Sequence, residues 1–215
     1  DSTFGSDAPP PTYDDIPKAD THLIWGANPK TAHPVLYRWI AESAAEEDSQ
    51  LVVVDPVETQ TAADADVHIQ PATGTDLALL RGVLTHVVDS GAVDTEFVEN
   101  HTTGFEAMAE SLPAIDAAAD TAGIPVAEIE TIAEATTAPT LAYWGMGVNQ
   151  SVQGTATARA LIDLCLATGN LGPGTGPFSL TGQANSMGTR VSGANNTWPG
   201  HRPFHDPYAR KSVAE

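Results

Sequence analysis

Gln50 to Asp55 reads QLVVVD, a continuous apolar run of the kind expected of a strand whose two faces are both covered by helices in a parallel sheet. Thr21 to Gly26 (THLIWG) has the same character, and Val67 to Gln70 and Thr140 to Trp144 add two shorter strands. Helical patterns alternate with them. One runs from Pro34 to about Ala45. In a second, DLALLRGVLTHVVDSG, Leu77, Leu80, Leu84 and Val88 form one stripe, with Thr75 as the expected N-cap and Gly91 as the stop. Further helices are expected around Phe105 to Leu112, from Pro125 to Thr136 with proline at or near the first position, and from Thr155 to Thr168, which Gly169 ends. This order predicts an α/β fold: a mostly parallel sheet of Rossmann-like strand-loop-helix units.

The ends differ from this middle. Residues 1–20, with Pro9, Pro10, Pro11 and Pro17, predict an irregular lead-in, and 21–168 the α/β domain. Residues 169–215 predict a Gly-rich irregular segment leading to a further part of a larger protein. Eight of the 18 glycines lie between Gly169 and Gly200, and Arg190, Arg202, Arg210 and Lys211 are four of the nine bases. A loop of this length is expected to bind something or to pack against structure beyond it.

Twenty-eight acids against 9 bases leave a formal charge of −19, which excludes nucleic acid and anionic membranes as natural partners. The acids are dispersed through amphipathic stretches, and Lys is confined to Lys18, Lys30 and Lys211, a surface suited to concentrated salt. No apolar run is long enough to span a bilayer, and the first residues have neither a basic nor an apolar signal region. The single Cys165, in LIDLCLATG, is expected to be a small buried apolar residue. Asn100, Asn149 and Asn195 open glycosylation-like triplets that imply no export.

Ligands of parallel α/β sheets bind at the carboxyl ends of the strands. Three loops qualify: Gly26, Ala27 and Asn28 after the first strand; Asp55, Pro56, Val57, Glu58 and Thr59 after the second; and Gly74, Thr75 and Asp76 before a helix. Gly26 would allow close backbone approach and Asp55 could accept ribose hydroxyls, but GANPKT is not the GxGxxG of an ordinary NAD site. Asp76 could accept the paired N–H donors of a guanine edge or simply cap its own helix. Met146 and Gln150, in YWGMGVNQ, follow the fourth strand, as a loop closing over a ligand or as a chain reversal. Arg190, in SMGTRVSG, is either a solvated cation or an anchor for an oxyanion such as nitrate. His201 and His205 have metal-ligand spacing, but Pro203 between them opposes the helix that would align them, so no metal site is predicted.

The stretches WGANPKTAHPVLYRWI, VVVDPVETQTAADADVHIQPATGTDLALLRGVLTHVV, DTEFVENHTTGFE, YWGMGVNQSVQGT, LATGNLGPGTGPFSLTGQANSMGTR and PGHR, in that order, resemble the molybdopterin guanine dinucleotide oxidoreductases. The resemblance runs from about Phe4 to the C-terminus. GPFSLTGQ and GMGVNQ are most similar to nitrate reductases of assimilatory and periplasmic type. It implies that Trp25, Gly26, Ala27, Asn28, Pro29, Lys30, Thr31 and Ala32, with Asp55 to Thr59 and Gly74 to Asp76, hold one guanine dinucleotide arm of a molybdenum-bis(molybdopterin guanine dinucleotide) cofactor. By the same resemblance Met146 and Gln150 lie close to the pterin and metal, and Arg190 near the substrate approach.

Two departures are local: Val191 stands where relatives often have Glu, and Pro71, Ala72, Thr73 and Gly74 make a turn one residue longer than usual. A third is larger. The cysteines for a 4Fe-4S cluster and for molybdenum are absent, so the resemblance implies an internal piece of a larger cytoplasmic enzyme, inactive alone. That enzyme would reduce nitrate with electrons from a donor such as ferredoxin. A related oxidoreductase, such as a formate dehydrogenase, and a non-catalytic nucleotide-binding module are the alternatives.

Overall fold

The computed structural model of the protein describes residues 3–4, 8–180, 182, 185–193, 197–200 and 202–214, without the side chains of 187, 213 and 214. Five strands, β1 (Thr21–Trp25), β2 (Gln50–Val54), β3 (Val67–Ile69), β4 (Thr140–Trp144) and β5 (Gly176–Ser179), form one sheet in the order β3-β2-β1-β4-β5. Every pairing is parallel, with Trp25 opposite both Val54 and Trp144. The strand order reverses between β1 and β4, where doubly wound sheets open toward ligands.

The helices are α1 (Pro29–Ala32), α2 (Pro34–Ala44), α3 (Asp76–Asp89), α4 (Thr95–His101), α5 (Phe105–Glu110), α6 (Ile115–Ala122), α7 (Val126–Ala135), α8 (Met146–Asn149) and α9 (Gly154–Ala167). Alternation along the strands divides the core between the two faces of the sheet. Leu23, Trp25, Val52, Val54, Ala142 and Trp144 pack with α3, α6, α7 and α9. Ile24, Leu51, Val53, Leu141, Tyr143 and Phe178 pack with α2 and Ile16.

The expected stripe on α3 is broader than the sequence suggests. Leu80 and Leu84 are buried, whereas Leu77 and Val88 are only partly so; Leu79, Val83 and Val87 share the burial because α6, α7 and α9 all pack on this helix. Gly82 allows the approach: a Cβ there would lie 2.6 Å from that of Ala118 on α6. Helices α4 and α6 are additions to the expected series. Asp94 caps α4, accepting from the Phe97 N–H at 2.8 Å, and α6 buries Ala118, Ala119 and Ala122.

Both ends of the sheet unit are more ordered than expected. The lead-in holds a 3-10 turn, Tyr13–Lys18, closed by the Thr12 N–H donating to Asp15 Oδ2 at 2.9 Å. Asp15 also accepts from Lys18 Nζ at 3.0 Å and from the Gly174 N–H at 3.2 Å, bonds that hold its carboxyl well below the usual range. The Gly-rich segment, expected to be irregular, supplies β5. Its GPFS sequence carries Pro177, which is tolerated because β5 is an edge strand. One compact unit spans Pro9–Leu180. Beyond it, considered by itself, lie α10 (Ser186–Val191), a two-stranded antiparallel ribbon of β6 (Thr197–Trp198) and β7 (Arg202–Pro203), and α11 (Pro207–Ala214). The Trp198 ring meets Phe204 edge-on at 5.2 Å.

A polar cluster is sealed under α2. His22 Nε2 lies 2.9 Å from Ser43 Oγ and Nδ1 3.2 Å from the Tyr143 hydroxyl. Ser43 spends its proton on the Ile16 carbonyl at 3.0 Å, so Nε2–H must donate to Ser43 and Nδ1 accept from Tyr143. That assigns a neutral imidazole, and burial pushes its pKa down to about 4. Among the described residues no helix is long and apolar enough to cross a membrane.

Candidate functional site at the sheet end

The loops after β1, β2 and β4 and the start of α3 meet at the carboxyl end of the sheet. Gly26 takes a φ of 55°, a left-handed conformation that favours glycine, and its N–H donates to the Val54 carbonyl at 2.9 Å. Two corners touch here. The Gly147 N–H donates to the Gly26 carbonyl at 3.0 Å, and a Cβ on Gly147 would lie 2.7 Å from that oxygen. Both corners begin with Trp-Gly, Trp25-Gly26 and Trp144-Gly145, and both indoles donate to a side chain: Trp25 Nε1 to Asp76 Oδ1 at 2.9 Å, Trp144 Nε1 to Asn149 Oδ1 at 3.2 Å.

Asp76 is the first residue of α3, and its carboxylate holds a bond that neither sequence reading anticipates. Among the described residues its hydrogen bond comes from Trp25, not from its own helix, and Thr75 makes no side-chain cap. The Thr75 hydroxyl turns back to the Ala72 carbonyl at 2.6 Å, while Gly74 is exposed with a φ of 84°. Asp55 accepts from the Val57 N–H at 2.9 Å, and His68 Nε2 donates to the Asp55 carbonyl at 2.9 Å. Burial raises the Asp55 pKa, and the nearby Asp76 charge adds to the rise. Pro56, Val57 and Glu58 are exposed; Thr59 accepts from the Ala62 N–H at 3.2 Å.

The Asn28–Ala32 segment is stitched to residues absent from the sequence-based set. Thr61, fully buried, donates to Asn28 Oδ1 at 2.8 Å and accepts from the Lys30 N–H at 3.1 Å, while Asn28 Nδ2 donates to Thr31 Oγ1 at 3.1 Å. The Lys30 ammonium reaches Asp64 Oδ2 at 2.5 Å, which also accepts from the Tyr37 hydroxyl at 2.8 Å. These bonds, that of Lys30 foremost, lower the Asp64 pKa; burial, with Asp64 beside it, raises that of Tyr37. Pro29 is buried at the head of α1, and Ala27 packs against the α2 side of the core. Met146 is half-buried and Gln150 exposed, at the two ends of α8.

Arg190 lies on α10, in the unit after Leu180, half-buried. His205 is exposed, and His201, like Asn195, lies outside the described residues. No group of three or more His, Cys, Asp or Glu among the described residues could hold a metal. Cys165 is sealed in the core, its thiol pushed up to about 12 by burial. The sheet end thus offers oxygen acceptors for N–H and O–H donors, with one ammonium already paired: chemistry for an organic polar ligand.

The family described as molybdopterin oxidoreductase matches residues 5–202. The chain belongs to the molybdopterin oxidoreductase family. It is 63% identical over 212 residues to an assimilatory nitrate reductase of Haloferax mediterranei, covering 99% of this chain and 30% of that protein. To a nitrate reductase of Synechocystis it is 37% identical over 220 residues, with coverages of 99% and 31%. An F420-dependent formate dehydrogenase 2 subunit alpha of Methanococcus maripaludis is 33% identical over 216 residues, with coverages of 96% and 31%. The chain therefore spans about 30% of the length of these relatives. In fold it is similar to the acetylene hydratase of Pelobacter acetylenicus, with a TM-score of 0.68 over 76% of this chain and 25% of that one at 23% identity.

Proposed function

We infer that this chain is the central cofactor-holding portion of a molybdenum nitrate reductase, and that its sheet end grips one guanine dinucleotide arm of a bis(molybdopterin guanine dinucleotide) cofactor. The observation that carries this reading is the convergence of the β1, β2 and β4 loops with Asp76 at the strand-order reversal, in a chain 63% identical to an assimilatory nitrate reductase. The donor set fits such an arm. Asp76 accepts the N–H donors of guanine, Asp55 the ribose hydroxyls, and Trp25 to Ala32, Pro56 to Thr59 and Gly74 to Thr75 shape the backbone around them. Lys30 is held by Asp64 and Thr61 within that wall.

When bound, the cofactor supplies two-electron reduction of nitrate to nitrite by oxygen-atom transfer. Met146 and Gln150 border its pterin side, and the Arg190 guanidinium attracts the nitrate anion on its approach. Ligands for molybdenum and for a 4Fe-4S cluster come from other parts of the parent enzyme, which is cytoplasmic and takes electrons from a donor such as ferredoxin. The chain alone carries no turnover.

The test is a reduced-dye assay on the intact parent and on this chain. Nitrate reduction by the parent and none by the chain are expected. Formate oxidation by the parent without nitrate reduction would move it to the neighbouring branch represented by the formate dehydrogenase relative. Turnover by the chain alone would refute the division of labour.

A further inference from the structure

Trp25 ends β1 with 0% exposure, fixed between Val54 and Trp144, and the partner of its indole N–H is Asp76 Oδ1 at 2.9 Å. Leaving that N–H unpaired in the core would cost about 1–3 kcal/mol, so Oδ1 is committed and the carboxylate cannot rotate freely. Among the described residues no second donor engages Asp76, and the acceptor positions away from the indole stay available. A carboxylate on the first turn of a helix would otherwise choose among several rotamers, and ordering it on binding would subtract from affinity.

We propose that Trp25 is a positioning residue for nucleobase selection: its buried indole N–H locks the Asp76 carboxylate in the orientation that accepts two adjacent N–H donors, so that guanine is preferred over bases presenting one donor or none. This rests on the reading that Asp76 faces the nucleobase. The Asp55 carboxylate, close enough to be affected by the Asp76 charge, makes acceptor-bearing edges still less welcome. The other corner supplies the contrast. Trp144 also donates from a strand end, but to Asn149 only five residues on, in the short α8 that directly follows its strand, so its bond fixes no residue from a distant part of the chain.

The test uses GDP and IDP, which differ only in the exocyclic amine, titrated by calorimetry against the wild-type chain, Trp25→Phe and Asp76→Asn in molar KCl. Wild type should prefer GDP. Trp25→Phe removes the N–H and keeps an apolar ring, and should cut the GDP-over-IDP preference about tenfold, whatever it does to the melting temperature. A preference unchanged in Trp25→Phe, while Asp76→Asn abolishes it, overturns the positioning role and leaves the guanine reading standing. Absence of GDP preference in wild type, or its persistence in Asp76→Asn, overturns the guanine reading and this proposal with it. Should Trp25→Phe not fold, the indole N–H resonance of Trp25 in the wild-type chain decides. Assigned by replacing the other three Trp (Trp39, Trp144 and Trp198) with Phe, it should shift on adding GDP more than on adding IDP. An equal response to both nucleotides overturns the proposal.

Discussion

The face of the sheet under α3, α6, α7 and α9 and the face under α2 solve burial differently. On the first, the middle of the strands is apolar, with Leu23, Val52 and Ala142, and polar groups come at the strand ends: Thr21 and Thr140 at the start of β1 and β4, and the Trp25 and Trp144 indoles at their finish, reaching out to Asp76 and Asn149. The indole contacts lie at the carboxyl end of the sheet, where a ligand can use them. On the second face the polar group sits one residue into β1, with His22, Ser43 and Tyr143 satisfying one another away from water. One face thus resists changes of pH and displays its polar groups; the other carries a titratable group that must stay neutral.

The largest break in this comparison comes from cutting into the first face. Ile132 on α7 is fully buried among α3, α7 and the sheet, so Ile132→Ala should cost about 2–5 kcal/mol, measured as a shift in the urea midpoint. Because apolar burial carries no protons, the loss should be the same at pH 7.5 and pH 5. A loss that depended strongly on pH would mean the faces are not independent.

Next is the pH response of the second face. In the unfolded chain His22 takes up a proton near 6.5, but in the folded chain only near 4. A folded-state pKa below the unfolded one means that the unfolded state binds more protons between those values. The stability is then fully present above about pH 6.5 and falls as pH drops toward 4, by up to about 3 kcal/mol from this residue. His22→Gln should start lower, because Tyr143 and Ser43 lose their fitted partner, yet show a shallower fall between pH 6.5 and 4.5. Parallel curves for the two proteins would remove His22 as the source.

At the sheet end the effect is smaller and appears in binding. Asp76→Asn can still accept from the Trp25 indole through its amide oxygen, so the melting temperature should barely move. Its NH₂ now opposes guanine donors, which should cost about 1–3 kcal/mol of cofactor retention in the parent enzyme, read as molybdenum occupancy. Full occupancy in the variant would reduce Asp76 to a structural partner of Trp25.

The strands of this sheet are legible in the sequence; the contrast between its faces is not. QLVVVD and THLIWG announce two-sided strands, and strand-end reasoning points to Asn28, Asp55, Asp76 and Met146 from the sequence alone. The strand GPFS was not legible, because glycine and proline hide an edge strand that pairing alone stabilises. Nor was the Trp25 to Asp76 bond, which joins residues 51 apart and exists only because α3 starts beside the end of β1. Thr61, Asp64 and Tyr37 escaped for the same reason: they support the Asn28 segment from elements whose neighbours the sequence does not name. A local signal was available for the paired corners, since Trp-Gly recurs at Trp25-Gly26 and Trp144-Gly145, each closing an apolar strand.

The smallest expected effect separates local from global electrostatics on the α2 side. Lys30 and Asp64 form a close pair, but both side chains are more than a third exposed, so the pair should contribute no more than about 1 kcal/mol in dilute buffer. Salt acts on the pair and on the whole chain with opposite sign. Screening weakens the attraction between Lys30 and Asp64, yet with a net charge of −19 it also relieves repulsion among many unpaired acids. The melting temperature of the wild-type chain should therefore rise with KCl, because the repulsive terms outnumber the attractive ones. Lys30→Met removes one attraction and leaves the acids, making the charge one unit more negative. Its melting temperature should lie slightly below wild type at low salt and converge with it in molar KCl. A gap that persists there would assign Lys30 a packing role along its stem, against Tyr37 whose ring centre is 6.0 Å from its ammonium, and not an electrostatic one.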